Sequence, residues 1–111
     1  MTDCIFCRII AGEIPGDFVV QTDTVVAFRD IAPKAPVHVL VVPRLHAPNV
    51  AALAAEAPEV LADMAAVAQQ IADAECNGEF RWIFNTGAAA GQTVFHVHGH
   101  VMNGGSLGWD A

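Results

Sequence analysis

No apolar run in this 111-residue chain approaches the roughly 18 residues needed to cross a membrane, so no membrane partner is expected. Nor does Met1-Thr2-Asp3-Cys4 carry the basic start and apolar block of a secretory leader, and a cytoplasmic location is the expectation. Positive charge is scarce: Arg8, Arg29, Lys34, Arg44 and Arg81 are the five fixed cations, against a net charge of −7. They are scattered, which leaves no basic stripe to follow a nucleic-acid backbone, so no nucleic-acid partner is expected. Any phosphate bound here must be held by backbone N–H groups, hydroxyls and imidazoles. The cysteines, Cys4, Cys7 and Cys76, are odd in number, which argues against a disulfide framework. The Cys4-x-x-Cys7 pair needs another explanation. Internal repeats and low-complexity linkers are also absent.

Apolar residues, in contrast, make up 54% of the chain, above the usual share. At this length the chain reads as one domain, residues 1–111, with one core and surface to bury against a second copy. Residues 5–11 read as a short helix stopped by Gly12 and Pro15. Phe18 to Gln21 and Val25 to Arg29 read as strands joined by a turn at Thr22-Asp23. Val37 to Val42 is a β-branched run ending at Pro43. From Pro58 to Ala74 the period changes: Val60, Met64, Val67 and Ile71 recur on one helical face. Pro58 suits the first turn, and Asn77-Gly78 suits the stop. Phe80 to Asn85 and Val94 to Met102 read as the last two strands. The expected fold is α+β, a five-stranded, mainly antiparallel sheet with one long and one short helix.

Three of the five histidines occupy positions 96, 98 and 100. On a strand they share one face at a repeat of about 6.8 Å, with Val97, Gly99 and Val101 turned toward the helix. Alternating strand histidines can ligate zinc, so metal binding and catalysis are both open on this strand alone. The preceding loop, Asn85-Thr86-Gly87-Ala88-Ala89-Ala90-Gly91-Gln92-Thr93, shifts the balance. Its small residues let backbone N–H groups approach an anion, with Asn85 and Thr93 as side-chain donors. An anion cradle leading into a histidine strand points to phosphate chemistry.

The segment Gly91-Gln92-Thr93-Val94-Phe95-His96-Val97-His98-Gly99-His100-Val101-Met102 resembles the signature of the histidine-triad (HIT) family, His-φ-His-φ-His-φ-φ with φ apolar. The likeness extends to Cys4-Ile5-Phe6-Cys7-Arg8-Ile9-Ile10, to residues 28–38 and to Val41-Val42-Pro43-Arg44-Leu45-His46. Asn85, Trp109 and a third histidine at His100 resemble the nucleotide-binding (Hint-type) branch, the purine nucleoside phosphoramidases. Gly99 departs from the pattern, which has a branched apolar residue there. The expected consequence is a looser core beneath the active strand, with turnover rate affected more than mechanism.

The resemblance implies an enzyme in which His98 attacks an α-phosphorus of a purine nucleotide and forms a nucleotidyl-histidine that water cleaves. A neutral imidazole is a competent nucleophile near pH 7. His100 on the same face can hold the phosphate oxygens, and His38 supports the cluster. Asn85 and Thr93 would complete the phosphate cradle, and Gln92 is a further substrate-binding residue. Phe6, Ile9, Phe28 and Ile31 would line the nucleoside slot, and Asp30, an acceptor-only carboxylate, would take the ribose hydroxyls. No organic cofactor is expected. A structural Zn²⁺ would sit on Cys4, Cys7, His46 and His96, a closed Cys₂His₂ set. The family's homodimers join two five-stranded sheets into one of ten, and Trp109 would reach the partner's site. The alternatives are a nucleotide-binding scaffold with little catalysis, a dinucleoside polyphosphate hydrolase, and a metal-handling protein using the His-x-His-x-His run.

Overall fold

A computed structural model gives the architecture for residues 4–105 and 107; Trp109 lies outside the described residues. The elements run α1 (Ile5–Ile10), β1 (Phe18–Gln21), β2 (Val25–Arg29), β3 (Val37–Pro43), α2 (Val50–Glu56), α3 (Pro58–Glu75), β4 (Arg81–Ile83) and β5 (Gly99–Asn103). The strands form one sheet in the order β1-β2-β3-β5-β4, and every neighbouring pair is antiparallel. The α+β fold with a five-stranded sheet is therefore present, with one helix more than expected.

Strand alternation divides the sheet into two working faces. Val25 and Ala27 of β2, Val39 and Val41 of β3, and Val101 of β5 pack into one cluster with Val60, Met64, Val67 and Ile71 of α3 and Leu53 of α2. Met64 and Ile71 are fully buried there, each contributing about 1.5–3 kcal/mol relative to exposure. The alternate residues, Val26 and Phe28 of β2 with Leu40 and Val42 of β3, pack with Phe6 and Ile9 of α1 on the opposite face. The candidate site lies on this second face, so α1 belongs to the site and α3 to the core.

The additional helix, α2, begins at Asn49, whose side chain accepts from the Ala52 N–H at 2.9 Å, a standard N-cap arrangement. Proline at its first turn then starts α3, where a missing N–H costs nothing.

The strand expected over Val94–Met102 is shorter than its apolar and histidine pattern suggested. Its ladder begins at Gly99, because residues before it use their backbone groups elsewhere. The Val97 N–H donates to the Ala47 carbonyl, and the His96 carbonyl accepts from the His98 ring. Of the triad, His100 alone is a strand residue. The uniform strand repeat is accordingly replaced by closer packing, with the His98 and His100 ring centroids 5.0 Å apart.

Gly99 does not loosen the core. A Cβ at this position would collide with Trp82 Nε1 and stand 2.7 Å from its Cε2 and 2.8 Å from Phe84 Cζ. The Trp82 and Phe84 rings, edge to face at 4.7 Å, fill the volume that a branched side chain would occupy. The Trp82 indole N–H is buried there with no hydrogen-bond partner among the described residues.

Candidate active site

A cavity of about 580 Å³ opens on the second face of the sheet, and its lining includes Phe6, Ile9, Phe28, Asp30, Ile31, Thr93, His98 and His100. The four apolar residues assigned to the nucleoside slot are thus brought together beside two of the histidines. α1 supplies Phe6 and Ile9, and the end of β2 supplies Phe28 and places Asp30 and Ile31 just beyond it. Phe6 packs edge-on against both Phe28 and His98, with centroids 5.5 Å and 4.9 Å away. Ile31 is fully exposed at the rim.

Hydrogen bonds determine the tautomer of each histidine. His98 Nδ1 lies 2.8 Å from the His96 carbonyl. A carbonyl can only accept, so Nδ1 carries the proton and Nε2 holds the lone pair. The Lys34 N–H donates to His38 Nδ1 at 3.0 Å, which leaves the proton of neutral His38 on Nε2. That N–H donates to His100 Nδ1 at 2.8 Å, with Asp30 Oδ2 a second acceptor at 3.4 Å. His100 therefore carries its own proton on Nε2. The site pairs an imidazole lone pair on His98 with an N–H donor on His100.

Burial is the main cause that lowers the pKa of His38, His98 and His100 below the ordinary imidazole value. For His98 the bond to the His96 carbonyl and the Asp30 charge oppose the effect. His100 is pushed down to about 4 by burial, then by His98 and His38. All three are neutral at pH 7, as the tautomer chain requires.

The loop before the triad is organised differently from a simple anion cradle. It contains a short 3₁₀ turn, Ala88–Ala90, between Gly87 and Gly91, both at positive φ. The N–H groups of Ala90, Gly91 and Gln92 bond to carbonyls within the loop, and the Gly87 N–H donates to Gln92 Oε1. Gln92 is buried, and its amide donates to the Pro48 and Val94 carbonyls, so its polar atoms pin the loop instead of facing the slot. Asn85 likewise donates to the Ala90 carbonyl at 2.7 Å. Thr93 is the loop residue that reaches the cavity.

A second cluster lies at the base of α1. Cys4, Cys7, His46 and His96 are close enough to hold a metal ion. His96 Nε2 donates to the Pro43 carbonyl at 2.8 Å, so its Nδ1 is a free lone pair, oriented by the carbonyl as metal-bound histidines commonly are. That Nδ1 lies 3.1 Å from His46 Nδ1, 3.3 Å from Cys4 Sγ and 3.5 Å from Cys7 Sγ. Bond lengths to zinc of about 2.0–2.3 Å imply tetrahedron edges of roughly 3.3–3.8 Å; the sulfur contacts fall within that range and the contact between the two imidazoles just below it, so the donor set fits once the two rings part slightly. Burial and the Cys4 neighbour raise the Cys7 thiol pKa, and a bound cation reverses that by favouring thiolate. Asp30, His38 and His100 also have metal-ligand spacing. There, however, the Lys34 N–H on His38 Nδ1 keeps Nε2 protonated, and the hydrogen-bonded chain satisfies the same atoms.

Comparison with known proteins agrees with this geometry. The family profile described as scavenger mRNA decapping enzyme C-term binding matches residues 3–108. The chain is 44% identical over 108 residues to the purine nucleoside phosphoramidase of Escherichia coli K12, covering 96% of this chain and 91% of that protein. A HIT family hydrolase from Clostridium thermocellum superposes with a TM-score of 0.92 at 38% identity, over 99% of this chain and 97% of that one. The histidine triad nucleotide-binding protein of Candida albicans does so with a TM-score of 0.85 at 30% identity, over 98% and 84%. The chain belongs to the histidine-triad family and is a hydrolase of that family.

Proposed function

We propose that this protein hydrolyses purine nucleoside 5′-phosphoramidates, or related nucleotidyl conjugates, through a nucleotidyl intermediate on His98. The observation that carries this reading is the His98 Nδ1 contact with the His96 carbonyl at 2.8 Å, which leaves Nε2 as a nucleophilic lone pair on a residue lining the slot. In this scheme the base lies between Phe6, Ile9 and Phe28, and Asp30 accepts from the ribose hydroxyls. His98 Nε2 bonds to the α-phosphorus as the P–N bond breaks, and the amine leaves with the electron pair of that bond and a proton taken from solvent water. Water then cleaves the Nε2–P bond and releases the nucleoside monophosphate. His100 Nε2–H and Thr93 donate to the phosphate oxygens as their charge grows, while Asn85 and Gln92 hold the loop that presents Thr93. The 44% identity to a protein named purine nucleoside phosphoramidase supports the substrate class.

A zinc ion on Cys4, Cys7, His46 and His96 is part of this proposal. Its chemistry there is structural, fixing the start of α1, which carries Phe6 and Ile9. A homodimer is also proposed: β4 forms one edge of the sheet, and two such edges joined would give a ten-stranded sheet with Trp109 near the partner's slot. Light scattering at micromolar concentration is expected to give the dimer mass, and a monomer would refute that arrangement. Deleting residues 107–111 is expected to change substrate selectivity, and unchanged selectivity would remove Trp109 from the site.

Acid-quench mass spectrometry during turnover of an adenosine phosphoramidate tests the central claim. A nucleotidyl adduct is expected on His98. The His98→Ala variant is expected to lose turnover by orders of magnitude while keeping nucleotide affinity, because the missing group acts in the reaction and not in the ground state. Near-normal turnover by that variant would overturn the scheme.

A further inference from the structure

The proposed nucleophile and the proposed donor are separated by one residue, Gly99, and the backbone changes character there. Gly99 opens the β5 ladder and pairs with Val41 of β3. Just before it, the Val97 N–H donates to the Ala47 carbonyl and the His96 carbonyl accepts from the His98 ring. His98 therefore stands on an irregular segment and His100 on a strand. The Gly99 backbone sets their relative placement, with ring centroids 5.0 Å apart. Glycine alone is poorly suited to that task, because it restricts its own backbone least of all residues.

The restriction comes from the other face of the sheet. Trp82 of β4 pairs with Val101, and Ile83 with His100. The Trp82 and Phe84 side chains pack with Val97 and Val101 against the core cluster, behind the histidines. From there the indole reaches diagonally to Gly99, where a Cβ would strike Nε1 and stand 2.7 Å from Cε2. The ring thus lies directly on the Gly99 backbone, and the Phe84 ring backs it at 4.7 Å. A ring on β4 here replaces the branched side chain that the family pattern places on β5. The exchange leaves the indole N–H buried with no partner among the described residues, a loss of stability that an apolar side chain would avoid. Stability alone therefore does not account for a tryptophan at this position. We infer that Trp82 is a positioning residue for catalysis: its indole braces Gly99 from behind, holding the His98 ring on the His96 carbonyl and at a fixed distance from His100. The kinetic consequence rests on the nucleotidyl-hydrolase reading, whereas the effect on the His98 ring does not.

The test compares the native protein with Trp82→Ala and with Trp82→Ala/Gly99→Val, each well below its melting temperature. One readout is turnover of an adenosine 5′-phosphoramidate. The other is the tautomer of His98, read from two-bond proton–nitrogen NMR spectra of the imidazoles. Native His98 is expected as the Nδ1–H tautomer alone. Trp82→Ala should lower kcat by about 10–100-fold, the scale of a small misplacement of reacting groups, with KM little changed and His98 in both tautomers. In the double variant the valine enters the volume the indole leaves, and the tip of the Phe84 ring can shift into the same space. That variant should recover most of kcat and the single tautomer. If Trp82→Ala does not fold, Trp82→Leu takes its place in both comparisons. Native kcat in the single variant, a deficit confined to KM, or a deficit with the His98 tautomer undisturbed overturns the brace and leaves the hydrolase reading intact. A native protein that turns over no phosphoramidate overturns that reading, and the brace on His98 is then decided by the tautomer alone.

Discussion

His38 Nε2 lies 2.8 Å from His100 Nδ1, and the two residues sit diagonally across β3 and β5, where Leu40 is paired with His100 and His38 with Met102. Because the Lys34 N–H occupies the other nitrogen of His38, the direction of the bond is fixed, and with it the position of the His100 proton. His38 is therefore a positioning residue. Replacing His100 by Ala removes the donor proposed for the phosphate and is expected to lower kcat by about 10²–10³-fold. His38→Ala should lower kcat less, with little change in KM. His38→Gln, whose amide can still donate to His100 Nδ1, should recover part of that loss. Steady-state kinetics on the three variants decide the order; a His38→Ala enzyme with native kcat would show that the proton on His100 needs no support.

The same burial makes stability depend on pH. His100 titrates near 4 in the folded protein, against 6.5 ordinarily, and His38 is also lowered. Between about pH 6.5 and 4 the unfolded chain binds protons that the folded chain refuses, so the contribution of these residues is complete above 6.5 and falls as pH falls across that window. Urea midpoints at pH 7, 6, 5 and 4.5 should decline, and His100→Gln should flatten the decline. A variant with the same slope as the native protein would contradict this account.

Elemental analysis of protein purified without chelator should find one zinc per chain. Stripping the metal should lower the melting temperature, because the free energy of metal binding contributes to folding. It should also weaken nucleotide affinity, since Cys4 and Cys7 bracket the first turn of α1, which carries Phe6, and Ile9 lies in the next turn. His46→Ala should reproduce both effects. Protein that neither contains zinc nor takes it up on addition would reject the site.

Gly99→Ala should destabilise by on the order of 1–3 kcal/mol, as overpacked cores do, because the added methyl meets the Trp82 indole and the Phe84 ring. Trp82→Val removes the indole that it strikes, so the double variant should be more stable than the sum of the two single losses predicts. Urea unfolding of the four proteins closes the cycle. Strict additivity would mean that the backbone moves and the rings do not resist.

Much of this was legible in the chain because local signals and tertiary packing agree. Phe18–Gln21 and Val25–Arg29 are β-rich runs bounded by a Thr22-Asp23 turn, and α3 carries both a helical stripe and its boundary residues. The slot residues Phe6, Ile9, Phe28 and Ile31 were readable through the family resemblance, and they do meet. Helix α2 shows no period in the sequence because Val50-Ala51-Ala52-Leu53-Ala54-Ala55-Glu56 holds too few large residues; Asn49 as an N-cap is its one local signal. Residues 94–98 misled in the opposite direction. Their alternation is real, but its cause is the side chains' division between two faces, while the His98 ring and the Ala47 carbonyl take the backbone bonds a ladder would need. The partner of Gly99 is invisible in the sequence, since nothing local to the triad announces Trp82. Asn85 and Gln92 look available for substrate in the sequence because polar side chains next to small residues show no partner there; acceptors such as the Ala90 and Pro48 carbonyls emerge only in the fold.

The alternation along β2 and β3 has a consequence for how such an enzyme changes over generations. Val25, Ala27, Val39 and Val41 meet the helices, while Val26, Phe28, Leu40 and Val42 back the α1 side. Neighbouring codons therefore answer to different demands. A lineage can reshape the cavity through Phe28 and Leu40 of the even-numbered set while the odd-numbered set keeps the fold above its threshold of stability. A one-residue insertion in either strand would exchange the two sets at once, and no single later substitution could restore both. Point substitution is thus the open route to new specificity in this sheet, and changes of length are confined to its loops.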